Sequence, residues 1–307
     1  MTLGRERNRV VPAALVLGAD GFIGEELLRQ LRERGWEAVG TRHGTVGNSA
    51  DVQFDLADTS AALLNAPPLA KMRSKKSWVA FLVAAVTGYA RCEQDPIGTR
   101  RVNVMNTISL ARDLVQSAAF VVYPSSTAVF GNATSRCDES AAPSATSEYG
   151  RQKVEAEQGM LRLLEQASSR GGVAVVRLTK VVAARGMVGK WIETLRGGGV
   201  IEAATDLLLS PISLPFAAHG LMEIAVTRRS GVYHLSGEGV MSYFEFAARL
   251  ADALGVGRTR VRAMEIGPLK LPRADGAVAL EMSETTTYAS VLPQTLDSVL
   301  LDLVSSR

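Results

Sequence analysis

The stretch from Ala13 to about residue 35 constrains the fold more than any other part of the chain. Ala13–Leu17 is a short apolar run of strand length, and it leads directly into Gly18-Ala19-Asp20-Gly21-Phe22-Ile23-Gly24. Beyond the glycines, Ile23, Leu27, Leu28 and Leu31 recur on one face of a helix. A strand, a glycine turn and a helix in that order aim the first helical amides, around Phe22 and Ile23, at one point. There they can hold an anionic pyrophosphate. Gly18 permits the tight turn, Gly21 lets the backbone approach a phosphate, and Gly24 lets the helix pack closely on the strand.

The same alternation continues downstream. Apolar runs at 36–40, 52–54, 78–85, 120–123 and 173–178 read as buried strands, and Val104, Ile108, Ala111 and Val115 share a helical face between two of them. Strands separated by helices imply a parallel sheet covered on both sides. After Arg177 the rhythm changes: a helix near 188–195 meets Gly197-Gly198-Gly199, a strand follows at Gly231–Leu235, and Ser242 with Glu245 forms a capping box. The expected fold is α/β, a Rossmann-type doubly wound parallel sheet with a smaller C-terminal α/β substrate lobe. The dinucleotide-binding domain is expected over 10–182, with 208–238 returning to it, and the lobe over 183–207 and 239–307.

Composition narrows the function classes. The 307 residues carry a formal charge of only +3, and the basic clusters at 4–9 and 71–76 are short and lack interleaved aromatics, which argues against nucleic acid. Cys92 and Cys137 form no CxxC pair and have no histidine cluster nearby, so neither a disulfide framework nor a metal site is expected, and a reducing cytoplasm fits. The first strand begins after about ten polar residues, too few for a signal peptide, and no apolar stretch reaches transmembrane length. No membrane association is expected.

The second strand ends Gly40-Thr41-Arg42-His43 where NAD-preferring proteins present a carboxylate to the ribose. Arg42 instead suits the 2′-phosphate of NADP, with NAD the second option and a solvated surface arginine the plain alternative. Asp55 and Leu56, after the third strand, are placed to border the adenine. Ala84 and Ala85, after the fourth, are small enough for close backbone approach to a cofactor. Either pair also serves as ordinary loop chemistry.

Tyr149 and Lys153 stand four residues apart, on one face of a helix. A nearby ammonium favours a phenolate and brings a tyrosine toward a useful acid–base range. Upstream, Phe120-Val121-Val122-Tyr123-Pro124-Ser125-Ser126 carries a strand into hydroxyls at the carboxyl edge of the sheet, where ligands bind in such folds.

With the GxxGxxG turn, a hydroxyl after the fifth strand and YxxxK all in order, the chain resembles the extended short-chain dehydrogenase/reductase family. Counting back from Gly131 in Pro124-Ser125-Ser126-Thr127-Ala128-Val129-Phe130-Gly131, the resemblance puts the catalytic hydroxyl on Ser126, with Ser125 and Thr127 as neighbours. Within the family the chain is most similar to dTDP-4-dehydrorhamnose reductases, through 84–93, 102–107 and 231–236. That resemblance implies catalytic Ser126, Tyr149 and Lys153, with Tyr149 and Lys153 also touching the cofactor. It further implies Thr87, Thr127 and Lys180 near the substrate, NAD(P)H-dependent reduction of a nucleotide-linked 4-keto-6-deoxysugar, and a homodimer. Lys180 either contacts a phosphate or caps a strand. The chain departs from those reductases at Thr127-Ala128, where they carry an acid and an aromatic, at 210–216, which lacks an acid near Phe216, and at Asn106, where glycine is usual. An epimerase that retains its cofactor and a catalytically silent cofactor-binding regulatory protein are the alternatives. An elimination reaction is disfavoured, because the dehydratases of the family need an acidic pair that Thr127-Ala128 does not supply.

Overall fold

The computed structural model describes residues 12–44, 51–58, 60–75, 78–133, 136–166, 171–267 and 279–305. The basic cluster at 4–9 and Lys76 lie outside them. The chain first lays down β1 (Ala13–Leu17), α1 (Phe22–Glu33), β2 (Glu37–Arg42), β3 (Val52–Gln53), the short α2 (Ser60–Leu64) and α3 (Pro67–Arg73), and β4 (Trp78–Leu82). Next come α4 (Tyr89–Gln94), α5 (Pro96–Arg100) and, through a π-helical turn at Arg101–Asn106, α6 (Thr107–Gln116), then β5 (Ala119–Ser126), α7 (Glu148–Arg162) and β6 (Gly172–Leu178). The remainder is β7 (Lys180–Val182), α8 (Gly186–Arg196), β8 (Ile201–Ala204), β9 (Leu208–Leu209), β10 (Pro211–Ser213), α9 (Leu214–Thr227), β11 (Gly231–Leu235), β12 (Met241–Ser242), α10 (Tyr243–Ala253), β13 (Val261–Met264), α11 (Ser283–Ala289) and α12 (Leu296–Ser305).

Among the described residues, seven strands form one sheet in the order β11-β6-β5-β4-β1-β2-β3, and every neighbouring pair is parallel. This is the Rossmann-type α/β fold expected. Its order reverses at β1, which opens a crevice between the carboxyl ends of β1 and β4. One face is closed by α1, α9 and α11, whose Leu27, Leu31, Leu221 and Ala289 pack on Val16, Phe81, Val122 and Val176. The other is closed by α3, α6 and α7, with Leu69, Leu114 and Met160 on Leu15, Ala80, Val121 and Val175. A smaller body holds its own apolar cluster, in which Ile192 of α8, Phe246 of α10 and Val299 of α12 meet Val182 and Leu209.

The fourth and fifth strands end elsewhere than expected. The fourth stops at Leu82 because, after Val83 donates to the Leu17 carbonyl, Ala84 turns against Gly18. The fifth runs on to Ser126 despite Pro124, because its last partner on β4 is Val122, so the proline removes no bond to that neighbour. Of the stretch 208–238, β11 joins the large sheet, while β9 pairs with β12 in a separate ribbon. The Ser242 capping box is present, with its Oγ accepting from the Glu245 amide at 3.0 Å.

Candidate active site

Gly18 takes φ +86°, and a Cβ there would lie 2.8 Å from the Ala84 side chain, so β1 and β4 meet in close backbone contact at the crevice. A Cβ on Gly24 would overlap the Gly18 carbonyl oxygen, so α1 is seated against the turn. The turn is pinned by Gly18 N donating to Thr41 Oγ1 at 3.0 Å and by Gly21 N donating to Gly18 O at 3.0 Å. No side chain caps the N-terminus of α1 at Gly21. Among the described residues the first helical amides, at Phe22 and Ile23, thus have no side-chain cap, and the cradle fits a dinucleotide pyrophosphate.

Arg42, at the end of β2, is partly exposed, and its Nε donates to Asp51 Oδ2 at 2.7 Å. Asp51 is buried and also accepts from Arg32 Nη2 at 2.8 Å and from Gly40 N at 3.0 Å. Burial works to raise the Asp51 pKa, but Arg42, the Gly40 amide and Arg32 outweigh it and hold the carboxyl below its ordinary range. Asp55 is engaged by His43 Nε2 at 2.8 Å and by the Ala57 amide at 2.9 Å. Leu56 is buried, and its carbonyl accepts from Asn106 Nδ2 at 2.7 Å. The departure at Asn106 thus ties the loop after β3 to the π-helical turn, a contact a glycine cannot make. Ala85 is half-buried beside Ala84.

Ser126 ends β5 and caps a 3₁₀ turn over Thr127–Phe130, its Oγ accepting from Ala128 N at 3.2 Å. Ser147 caps α7 in the same way, accepting from Gly150 N at 3.1 Å. A Cβ on Gly150 would run into the Ala128 carbonyl, so the first turn of α7 lies directly on the serine loop. That contact brings Tyr149 to Ser126. Tyr149 is buried, with its ring 5.1 Å from that of Tyr89. Burial, Tyr89 and Cys92 push its pKa well up, and the hydrogen bond with Ser126 pulls it the other way. Lys153 lies one helical turn further on, 4% exposed, with Nζ donating to Tyr123 OH at 3.1 Å and to the Pro124 carbonyl at 2.9 Å.

Lys153 Nζ stands 5.9 Å from the centre of the Tyr149 ring, with its hydrogen bonds directed to β5. Burial lowers the lysine itself to about 8, with Glu157 opposing. Glu157 is in turn locked to Arg177 at 2.9 Å, both side chains buried. Tyr123, Glu157 and Arg177 escaped the sequence reading because nothing in their spacing marks a contact between β5, β6 and α7.

A cavity of about 430 Å³ opens in front of these groups. Phe22 and Ile23 reach it from the dinucleotide turn, Thr87 and Tyr89 from beyond β4, and Ser125, Ser126, Thr127 and Tyr149 from the serine loop and α7. Leu178, Thr179, Lys180, Arg185, Met187, Leu209 and Tyr243 contribute to the wall on the side of the smaller body. Among the described residues, the charged ones in this lining are Lys180 and Arg185, both cations. Lys180 pairs with no carboxylate among the described residues, and desolvation by the wall lowers its pKa. Arg185 spans to the dinucleotide turn, with Nη1 2.8 Å from Glu25 Oε2, Nη2 donating to the Phe22 carbonyl at 2.5 Å, and the guanidinium 4.5 Å from the centre of the Phe22 ring. Arg185 went unnoticed in the sequence, since its partners lie 160 or more residues away. No His, Cys, Asp and Glu among the described residues gather into a group able to hold a metal ion, and no helix there is long and apolar enough to cross a membrane.

Residues 13–298 match the family described as RmlD substrate binding domain. The probable low-salt glycan biosynthesis reductase Agl14 of Haloferax volcanii is 24% identical over 270 residues, 85% of this chain and 86% of that protein. Methionine adenosyltransferase 2 subunit beta of Xenopus laevis is 24% identical over 83% of this chain and 76% of that protein. Among solved structures, MoeE5 in complex with UDP-glucuronic acid and NAD superposes with a TM-score of 0.78, 22% identity, and coverage of 95% of this chain and 97% of that one. A dTDP-4-dehydrorhamnose reductase from Bacillus anthracis str. Ames, in complex with NADP, gives a TM-score of 0.77 at 18% identity over 95% of this chain and 97% of that one. The chain belongs to the RmlD substrate binding domain family, NAD(P)-dependent oxidoreductases of the extended short-chain dehydrogenase/reductase type.

Proposed function

We propose that this protein uses NADPH to reduce the ketone of a nucleotide-linked 4-keto-6-deoxysugar. The observation that carries the reading is the meeting of Ser126, Tyr149 and the dinucleotide turn at one cavity whose charged lining residues are cations. Bound nicotinamide supplies the hydride. Tyr149, kept protonated by its burial, donates the phenolic proton to the ketone oxygen, and the Ser126 hydroxyl donates a hydrogen bond to the same atom. Two protons of the Lys153 ammonium are committed to Tyr123 and Pro124. The third remains for a ribose hydroxyl of the cofactor. Lys180 and Arg185 offer positive charge to the diphosphate, and Arg42, steadied by Asp51, offers a guanidinium to the 2′-phosphate. Thr87 and Thr127 line the substrate side. No carboxylate among the described residues belongs to the lining of this cavity, which disfavours a dehydratase, whose chemistry needs an acid–base pair there.

The reductase among the relatives and the nucleotide sugars bound in the neighbouring structures support this reading. A second reading, a cofactor-binding regulatory subunit, is favoured by the relatives named methionine adenosyltransferase 2 subunit beta. Incubation with NADPH and a panel of nucleotide-linked ketosugars, followed by absorbance loss and product mass, separates the two. Tyr149→Phe is expected to abolish turnover while NADPH affinity stays within about twofold. Wild-type turnover in that variant sinks the assignment of the proton donor, and an inert wild type across the panel favours the regulatory subunit.

A further inference from the structure

One side chain from the smaller body grips the turn that suits the cofactor. Arg185, in the loop between β7 and α8, places Nη1 2.8 Å from Glu25 Oε2 and donates from Nη2 to the Phe22 carbonyl at 2.5 Å. Its guanidinium lies 4.5 Å from the centre of the Phe22 ring. All three contacts fall on the first turn of α1, which begins at Phe22. Phe22 also carries the first helical amide, the kind of group that holds a pyrophosphate oxygen. Phe22 and Arg185 both line the cavity that Ser126 and Tyr149 line. A dinucleotide held at that amide and reaching Tyr149 runs past the place where these two side chains meet.

The bridge is weak enough to open. Arg185 and Glu25 keep 42% and 66% of their side-chain surface exposed, and an ion pair so exposed adds little to stability and is screened by salt. Residues 184–187 are exposed, and Gly186, at φ +64°, has open space where a Cβ would stand. Few neighbours therefore hold the loop except through the guanidinium itself. The three contacts act as one unit, because they share that single group: losing it loses them all. The contrast is with Arg177 and Glu157, both side chains buried, a pair that locks α7 to β6. The bridge also leaves Arg185 Nε out of its two bonds, so the closed form still offers a donor to an anion in the cavity.

We propose that Glu25 and Arg185 form a gate for the dinucleotide: the pair closes the smaller body onto the turn, and NADPH enters and leaves when it parts. This rests on the dinucleotide site at the glycine turn and is independent of which sugar is reduced. The test is stopped-flow fluorescence of NADPH binding to the full chain, with release followed by displacement with excess NADP. Wild type, Glu25→Gln, Arg185→Gln and the double variant are compared at low and high salt, beside melting of the free proteins. Glu25→Gln is expected to raise both the association and the release rate about threefold. Arg185→Gln, which removes all three contacts, is expected to raise both about tenfold, so that Kd moves less than either rate. The double variant is expected to match Arg185→Gln, because Glu25 acts through Arg185. Salt is expected to narrow the gap between wild type and Glu25→Gln. Lower melting temperatures with unchanged NADPH rates overturn the gate in favour of a purely structural tie. Faster release with unchanged association in Arg185→Gln, and no effect of Glu25→Gln, overturns it in favour of a direct contact between Arg185 and the cofactor. A wild type that binds neither NADPH nor NADH refutes the dinucleotide site beneath it.

Discussion

Lys153 is predicted to weaken the folded protein at neutral pH, and replacing it with methionine tests this quantitatively. Its pKa stands at about 8 against an ordinary 10.5, because burial disfavours the ammonium more than Glu157 favours it. A difference of that size corresponds to roughly 3 kcal/mol of discrimination against the charged form on folding. Below pH 8 both folded and unfolded chains carry the proton, and the penalty is present in full. Between pH 8 and 10.5 the folded lysine is neutral while the unfolded one stays charged, so the unfolded chain binds more protons and wild-type stability rises with pH. Lys153→Met keeps the apolar stem and removes the charge, but leaves Tyr123 OH and the Pro124 carbonyl without the donor, which returns about 1–2 kcal/mol. The variant is therefore expected to be about 1–2 kcal/mol more stable than wild type at pH 7. As the pH is raised toward 10.5 the wild type gains and the two curves cross. Urea unfolding of both proteins at pH 7, 8, 9 and 10 measures the difference, in which the titrations of other groups largely cancel. A stability difference that stays constant across that range refutes the reasoning, because it means that Lys153 titrates where an ordinary lysine does.

Three further outcomes follow from other parts of the site. Gly24→Ala forces a Cβ onto the Gly18 carbonyl and is expected to lower stability by about 2 kcal/mol or more and NADPH affinity at least tenfold; calorimetry and denaturant unfolding check both. Arg42→Ser leaves Asp51 with Arg32 and the Gly40 amide, so fluorescence titration is expected to show NADPH binding weakened about tenfold and NADH binding nearly unchanged; equal losses would remove Arg42 from the 2′-phosphate. Glu157→Gln breaks a buried ion pair, at an expected cost of about 3–5 kcal/mol. It also removes the carboxylate that supports the Lys153 ammonium, so where the variant still folds, the alkaline limb of its pH–rate profile moves to lower pH than in the wild type.

What could be read from the sequence and what could not divide along the distance over which each feature is encoded. The glycine turn, the β1–α1 unit and the Tyr149–Lys153 spacing are local: residues within one turn or one strand set the geometry, and residue type reports it directly. The serine loop is nearly so, since Ser126 follows from the end of β5. The partners that decide what these groups do are not local. Lys153 meets Tyr123 30 residues away, Arg42 meets Asp51 across a strand pair, and Arg185 meets Glu25 160 residues away. No periodicity carries such contacts, and so the anchoring of the Lys153 ammonium on β5 was not legible beside its spacing from Tyr149. The same division separates reaction from substrate. On the proposed function, proton donation and hydride positioning draw on β1, β5 and α7, elements of the doubly wound sheet and its covering helices. The opposite wall of the cavity draws on β7, the Arg185 loop and α10. On that function, substitutions on the far wall are expected to exchange one sugar for another while the reducing machinery stays intact, because the two draw on different elements.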